Sequence, residues 1–333
     1  MSKNNPACHI DLLYQVLIMF LTKWYNNPMT FQEVEVAREA YHQKIKKQMT
    51  ITIAIIVVLS IISLFGAGIM MAVFGLIFSS IVISSFAVII FSITNRKVAD
   101  AYRKAYKAYF VEQNLRKVFT DLRYSHEMGL SRQVLEQTGM VNTGDRYSSN
   151  DYTNGKYRDV AFSQADVHIQ NEQTDSDGDT YYVTIFKGRF MIFEFPKKFN
   201  FKLGLIGKKF HAYRKPSSDK ATGRKMEKIT TESSEFNSAF RIYGADGFES
   251  YYILDPAFMV KLLKINEHYK GKTIFCFNNN QLLIGTNDGK DSFEPPRPNK
   301  PIDEAKENAK VLAEIKAITD FVDQLSLDRK LFK

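Results

Sequence analysis

Hydrophobic and polar positions divide this chain into three regimes. The first is an unbroken apolar run, ITIAIIVVLSIISLFGAGIMMAVFGLIFSSIVISSFAVIIFSIT, from Ile51 to Thr94, with no charged side chain. A helix crosses the hydrocarbon core in about 20 residues. One helix of this length would be far too long, so the run predicts two transmembrane spans, about 51–67 and 69–91. Gly66, Ala67 and Gly68 sit at the midpoint, where a tight reversal needs small residues. Ser79, Ser80, Ser84, Ser85 and Gly75 would let the spans pack closely.

Helical periodicity flanks the run on both sides. Phe31, Val34, Tyr41 and Ile45 precede it, and Tyr102, Ala105, Tyr106, Tyr109 and Phe110 follow. Arg103, Lys104 and Lys107 lie off the second stripe. The pattern predicts that both spans continue as a two-helix stalk, giving a unit over 29–123. Residues 1–28 form an N-terminal amphipathic segment. Within it, Ile10–Tyr25 either lies on the membrane surface or packs as a helix on the stalk or body of the protein. Asp11 and the lack of a small-residue cleavage site argue against a signal peptide.

From 124 to 333 the pattern shortens to strands and turns, with helices interspersed. Thr180–Phe195 is β-branched and aromatic, with an expected turn near Lys187–Gly188. Asn142–Asp145, Ser148–Asp151 and Asn154–Gly155 read as Asx-rich turns. Thr273–Phe277 and Gln281–Thr286 flank Asn278–Asn280, a hairpin signal. Asp255–Pro256 opens a helix with Phe258, Met259, Leu262 and Leu263 on its apolar side and Gly271 beyond its end. A last helix, about 302–325, carries Val311, Leu312, Ile315, Ile318, Val322 and Leu325 on one face. Strands mixed with helices, without βαβ alternation, predict an α+β cytoplasmic domain behind an N-terminal two-helix transmembrane hairpin and helical stalk.

Charge fixes the orientation. Arg38, Lys44, Lys46 and Lys47 precede the apolar run, Arg96, Lys97, Arg103, Lys104 and Lys107 follow it, and its midpoint has no cation. The positive-inside bias places both termini in the cytoplasm of a multi-pass membrane protein. The formal net charge is +9. From Lys197 to Lys228 there are eleven Lys or Arg against Asp219 and Glu227, so that window carries all of the excess. Arg214, Lys215, Lys220, Arg224 and Lys225 are the candidates for facing anionic lipid headgroups. No nucleic-acid-binding module is visible, so no nucleic acid is expected as a partner.

Catalytic and metal-binding signals are weak. Thr174–Thr180 (TDSDGDT) resembles a calcium loop, but Gly178 is out of position and Phe186 stands where the closing Glu belongs. Gly204–Lys209 (GLIGKK) lacks phosphate-loop spacing. The six histidines are scattered. Cys8 and Cys276 make neither a metal motif nor a disulfide framework, which suits a reducing compartment. No catalytic residue, cofactor or metal is expected from the sequence.

Several stretches resemble one family. They are Arg146–His168, Val183–Phe199, Glu235–Leu263 (EFNSAFRIYGADGFESYYILDPAFMVKLL), Asp291–Pro296 (DSFEPP) and the final helix. Together they resemble the bacterial membrane proteins grouped as domain of unknown function 3137 (DUF3137), over roughly residues 30 to 330. Asp175–Asp179 and Arg214–Lys228 depart from the pattern. The resemblance implies a bacterial inner-membrane origin and a two-pass topology, and it brings no catalytic residues. A LemA-like membrane protein is a partner the resemblance suggests, and a homo-oligomer is compatible with the sequence. The expected function is a membrane-anchored binding module for a protein or anionic-lipid partner. The alternative is a membrane-tethered enzyme with a site assembled across the α+β domain.

Overall fold

A computed structural model describes residues 28–66, 95–196, 198–199, 201–218, 223–245, 250–251 and 253–327. The described residues fall into two compact units. One holds those up to Val111 together with Glu294–Asn308. The other holds Glu112–Phe293 together with those from Ala309 on.

The first unit is helical. Helix α1 runs Phe31–Gly66. Thr30 and Glu33 form its capping box: Glu33 N–H donates to Thr30 Oγ1 and Thr30 N–H to Glu33 Oε2. Helix α2, residues 95–118, contains a π-helical turn at Lys107–Glu112. In this unit Phe31 meets Tyr109 and Phe110 at ring-centroid distances of 6.0 and 6.2 Å. Tyr41 meets Tyr102 at 6.3 Å, so the two helices run antiparallel. Buried Arg38 pairs with Glu35 and Glu39 and donates to the Pro298 carbonyl. Lys107, which periodicity put off the stripe, is only 1% exposed and pairs with Glu294 at 2.8 Å. A π turn adds a residue and so shifts the helical phase at this point.

Among the described residues, no helix is long and apolar enough to cross a membrane. The described apolar part of α1, residues 51–66, rises about 24 Å, short of the ~30 Å hydrocarbon core. The expected second span, the turn beyond Gly66 and residues 1–27 lie outside the described residues.

The second unit is α+β. Among the described residues its nine strands are β1 Thr120–Ser125, β2 Arg146–Tyr157, β3 Val160–Thr174, β4 Thr180–Glu194, β5 Lys202–Gly207, β6 Glu227–Ile229, β7 Phe240–Gly244, β8 Thr273–Asn278 and β9 Gln281–Thr286. They form one sheet in the order β1-β2-β3-β4-β9-β8-β5-β7-β6, with every neighbouring pair antiparallel. The helices of this unit are α3 Arg132–Gln137, α4 Ser234–Ala239, α5 Pro256–His268 and α6 Glu304–Leu325, the last from Ala309 on.

Strand alternation sorts side chains onto two faces. Ala165, Val167, Ile169, Phe186, Phe190, Ile192, Ile206 and Cys276 form one buried cluster with Leu135 of α3 and Met140. On the opposite face Phe258 of α5 packs edge-on to Phe277, and Phe240 packs edge-on to Phe275.

Three expectations are corrected here. Thr180–Glu194 is one continuous strand, with no turn at Lys187–Gly188. Gly188 is there because β9 passes so close that a Cβ would lie 2.0 Å from the Thr286 carbonyl oxygen. The Asx-rich stretch 148–155 is β2, bulged between Asn150 and Thr153. Gly204–Gly207, which lacks phosphate-loop spacing, is part of buried strand β5. In α6, Leu312 is 43% exposed, and Phe321 takes a buried place instead. The hairpin at Asn278–Gln281 and the helix opening at Asp255 lie where the sequence puts them.

Candidate functional site

The basic loop is built between β5 and β6. It is pinned at its base: Arg214 N–H donates to Met140 O at 2.7 Å, and Val141 bridges Tyr213. Its own ends pair through a bridge between Ser218 and Lys225 and a bond from Met226 N–H to Ser217 O. Met226 is buried in the core cluster, which ties the loop down. Arg214, Lys215, Arg224 and Lys225 are consequently exposed, as loop cations should be. Lys220 lies outside the described residues.

The loop divides its cations between two concavities. Arg214 and Lys215 line one of about 320 Å³ with Glu136, Ser217 and Ser218. Arg224 and Lys225 line another of about 530 Å³ with Lys228, Thr230 and Tyr251. Tyr251 stands as its wall, its hydroxyl donating to Thr230 O at 2.9 Å. Lys225 also pairs with Glu227 at 3.4 Å, an exposed contact of small energetic weight.

Not every cation of the window is available at the surface. Lys202 is 2% exposed on β5, where its Nζ donates to Gln137 O at 3.0 Å. Arg241, outside the window, joins the basic edge instead. Its Nη1 donates to Gly207 O, and its guanidinium lies 4.9 Å over the Tyr213 ring. Burial and then repulsion from Arg241 and Lys228 lower the pKa of Lys208. No contiguous motif marks this group, because strand pairing brings together residues from three separate segments.

A second polar cluster lies on the opposite face of the sheet. Asp151, Asp166 and Asp291 each bring a carboxylate oxygen within 4.8 Å of the others. The β2 bulge and the positive φ of Asp151, 55°, set that side chain in place. Tyr124 O–H donates to Asp151 at 2.6 Å, Asn150 Nδ2 to Asp151 at 2.8 Å, and Ser292 N–H to Asp166 at 2.6 Å. Arg189, opposite Asp166 in the β3–β4 ladder, brings Nε to 3.6 Å from Oδ1. Burial pushes the Asp166 carboxyl up to about 6, opposed by Arg189 and reinforced by Asp151. The same environment raises the Tyr124 hydroxyl well above its ordinary range, burial first and Asp151 next. Carboxylates at this spacing suit a hard divalent cation. Here, however, Arg189 already supplies positive charge, and Tyr124, Asn150 and Ser292 occupy other oxygens. Sequence reading passed over this cluster because its residues sit in ordinary strand and turn patterns, up to 140 positions apart.

Comparison with known proteins places these features in context. The model of the family described as "Protein of unknown function (DUF3137)" matches residues 184–327, from β4 to the end of α6. No curated protein matches the chain at a significant level. The solved structure of the mycobacterial trehalose monomycolate transport factor A, TtfA, is similar at 9% identity, with a TM-score of 0.33. The match covers 65% of this chain and 91% of that one. Similarity this low carries no argument about fold or activity.

Proposed function

We propose that the protein, whose residues 184–327 match the DUF3137 family model, is a membrane-anchored binding module that engages an anionic partner surface at the inner membrane. The observation that carries this reading is the exposed apolar flank of α1. From Ile51 to Ile61, Ile, Ala and Val side chains are exposed over most of the helix circumference, with Ile53 at 57%. A helix that shows apolar side chains over most of its surface is matched to a lipid environment rather than to water. The charge-free run continues in sequence to Thr94, which supplies enough residues for two crossings. The exposed cations of the basic loop are the groups that would meet anionic headgroups, at roughly 1 kcal/mol for each one near the surface.

The test uses the full chain expressed in bacteria. The protein should stay with the membrane pellet after alkaline carbonate washing. An externally active reporter should work when fused at Gly68 and be silent when fused after Lys333. Release by carbonate would overturn the anchor, and an active C-terminal fusion would overturn the orientation.

A further inference from the structure

Three cations meet at the β5–β7–β6 end of the sheet. Arg241 on β7 is opposite Ile206 of β5, and Lys228 on β6 is opposite Tyr243, two positions beyond Arg241. Arg241 and Lys228 therefore share one face. Lys208 follows β5 directly and donates its N–H to Ala239 O, beside the start of β7. Lys208 and Lys228 are exposed, and neither makes an ion pair among the described residues. Arg241 and Lys228, both of the same sign as Lys208, act on it alongside burial.

A protein does not gather three like charges at no cost. Each adds repulsion that a bound anion would relieve. Arg241 is held ready for such a role: one of its five N–H donors is used on Gly207 O, and the Tyr213 ring supports the guanidinium plane. Lys228 also lines, with Glu227, the concavity of about 530 Å³ that Tyr251 bounds, so one of the three cations borders a space of headgroup size. We propose that Lys208, Lys228 and Arg241 form a binding site for a phosphate monoester. This names the ligand class of the basic edge and rests on the surface-binding reading above.

The choice of a monoester follows from charge and donor number. A phosphate monoester carries close to two negative charges at neutral pH and three terminal oxygens, whereas a diester carries one charge and two such oxygens. Two ammonium groups and a guanidinium fork match the first better. The loop cations Arg214, Lys215, Arg224 and Lys225 would add long-range attraction without distinguishing the two.

The test is native mass spectrometry of the full-length protein in detergent micelles, with three lipids offered at equal concentration. They are phosphatidic acid (a monoester), phosphatidylglycerol (a diester) and phosphatidylcholine. A parallel arm offers glycerol 3-phosphate, the same monoester without acyl chains. Phosphatidic acid should be retained about fivefold more than phosphatidylglycerol, the effect of roughly one extra effective charge. The double variant Lys208→Gln/Lys228→Gln should bring that ratio to one with an unchanged melting temperature. Arg214→Gln/Lys215→Gln should weaken both anionic lipids alike and leave the ratio intact. Binding of glycerol 3-phosphate that the double variant loses would identify a soluble monoester as the ligand, and binding of phosphatidic acid alone would identify the lipid; either result supports the site. Equal retention of the two anionic lipids by the parent, with no binding of glycerol 3-phosphate, overturns the monoester site and leaves the anionic-surface reading standing. Absence of any anionic adduct overturns both.

Discussion

Asp166 and Arg189 face each other across β3 and β4, both buried, with Oδ1 and Nε 3.6 Å apart. That separation is too long for a hydrogen bond, so the charges attract without satisfying each other fully. Asp151 and Asp291 add negative charge beside the pair.

This arrangement gives a pH signature. The folded pKa of Asp166, about 6, lies above its unfolded value of 3.8. The cost of burying the ionised carboxyl is therefore present in full above pH 6. It is relieved as the pH falls from 6 toward 4, where the folded state takes up the proton first. The relief amounts to about 2–3 kcal/mol at most. Relative to Asp166→Asn, the parent should gain stability between pH 7 and pH 4. Parallel denaturation midpoints across that range would contradict the assignment.

Gly188→Ala should destabilise the sheet by about 2 kcal/mol or more, because overpacking against fixed backbone has no cheap relaxation. The added Cβ would press on the Thr286 carbonyl and force β4 and β9 apart. Urea unfolding would measure the loss; an unchanged midpoint would mean that the two strands are not so close.

Two lysines of the same basic window should behave oppositely. Lys202→Ala removes a buried side chain and leaves the Gln137 carbonyl without that donor, which should cost about 2–4 kcal/mol. Lys225→Ala alters an exposed loop and should stay within about 0.5 kcal/mol. Similar effects from the two substitutions would contradict the burial of Lys202.

Asp255 caps α5, its Oδ1 accepting from Phe258 N–H at 2.9 Å, with Pro256 at the first helical position. Asp255→Ala should cost about 1 kcal/mol, and Asp255→Ser should restore most of it. A melting temperature that responds to neither would show that the packing of Phe258 on Phe277 alone sets the helix start.

What could be read from the sequence was local. The Asp255–Pro256 cap and the Asn278–Gln281 hairpin are decided by neighbours in the chain, so composition reveals them. Gly188 defeated the same reasoning, since its role depends on a strand almost a hundred residues later. Polar β2 looked like turns because Asn, Asp and Ser there serve the Asp151 cluster and the ladder with β3. The α+β class and the family resemblance were legible. The grouping of Lys208 and Lys228 with Arg241 was not, because it is made by strand pairing and has no linear trace.

The strand order also has a consequence during synthesis. Strands β1 to β4 form a consecutive meander, but the free side of β4 is completed only by β9. Strand β5 acquires its neighbours only when β7 and β8 exist. A nascent chain that has not yet released residue 286 from the ribosome therefore holds an open, apolar β4 border with no partner in cis. That interval is the chain's window of vulnerability to mispairing and the stage at which chaperone protection would count most.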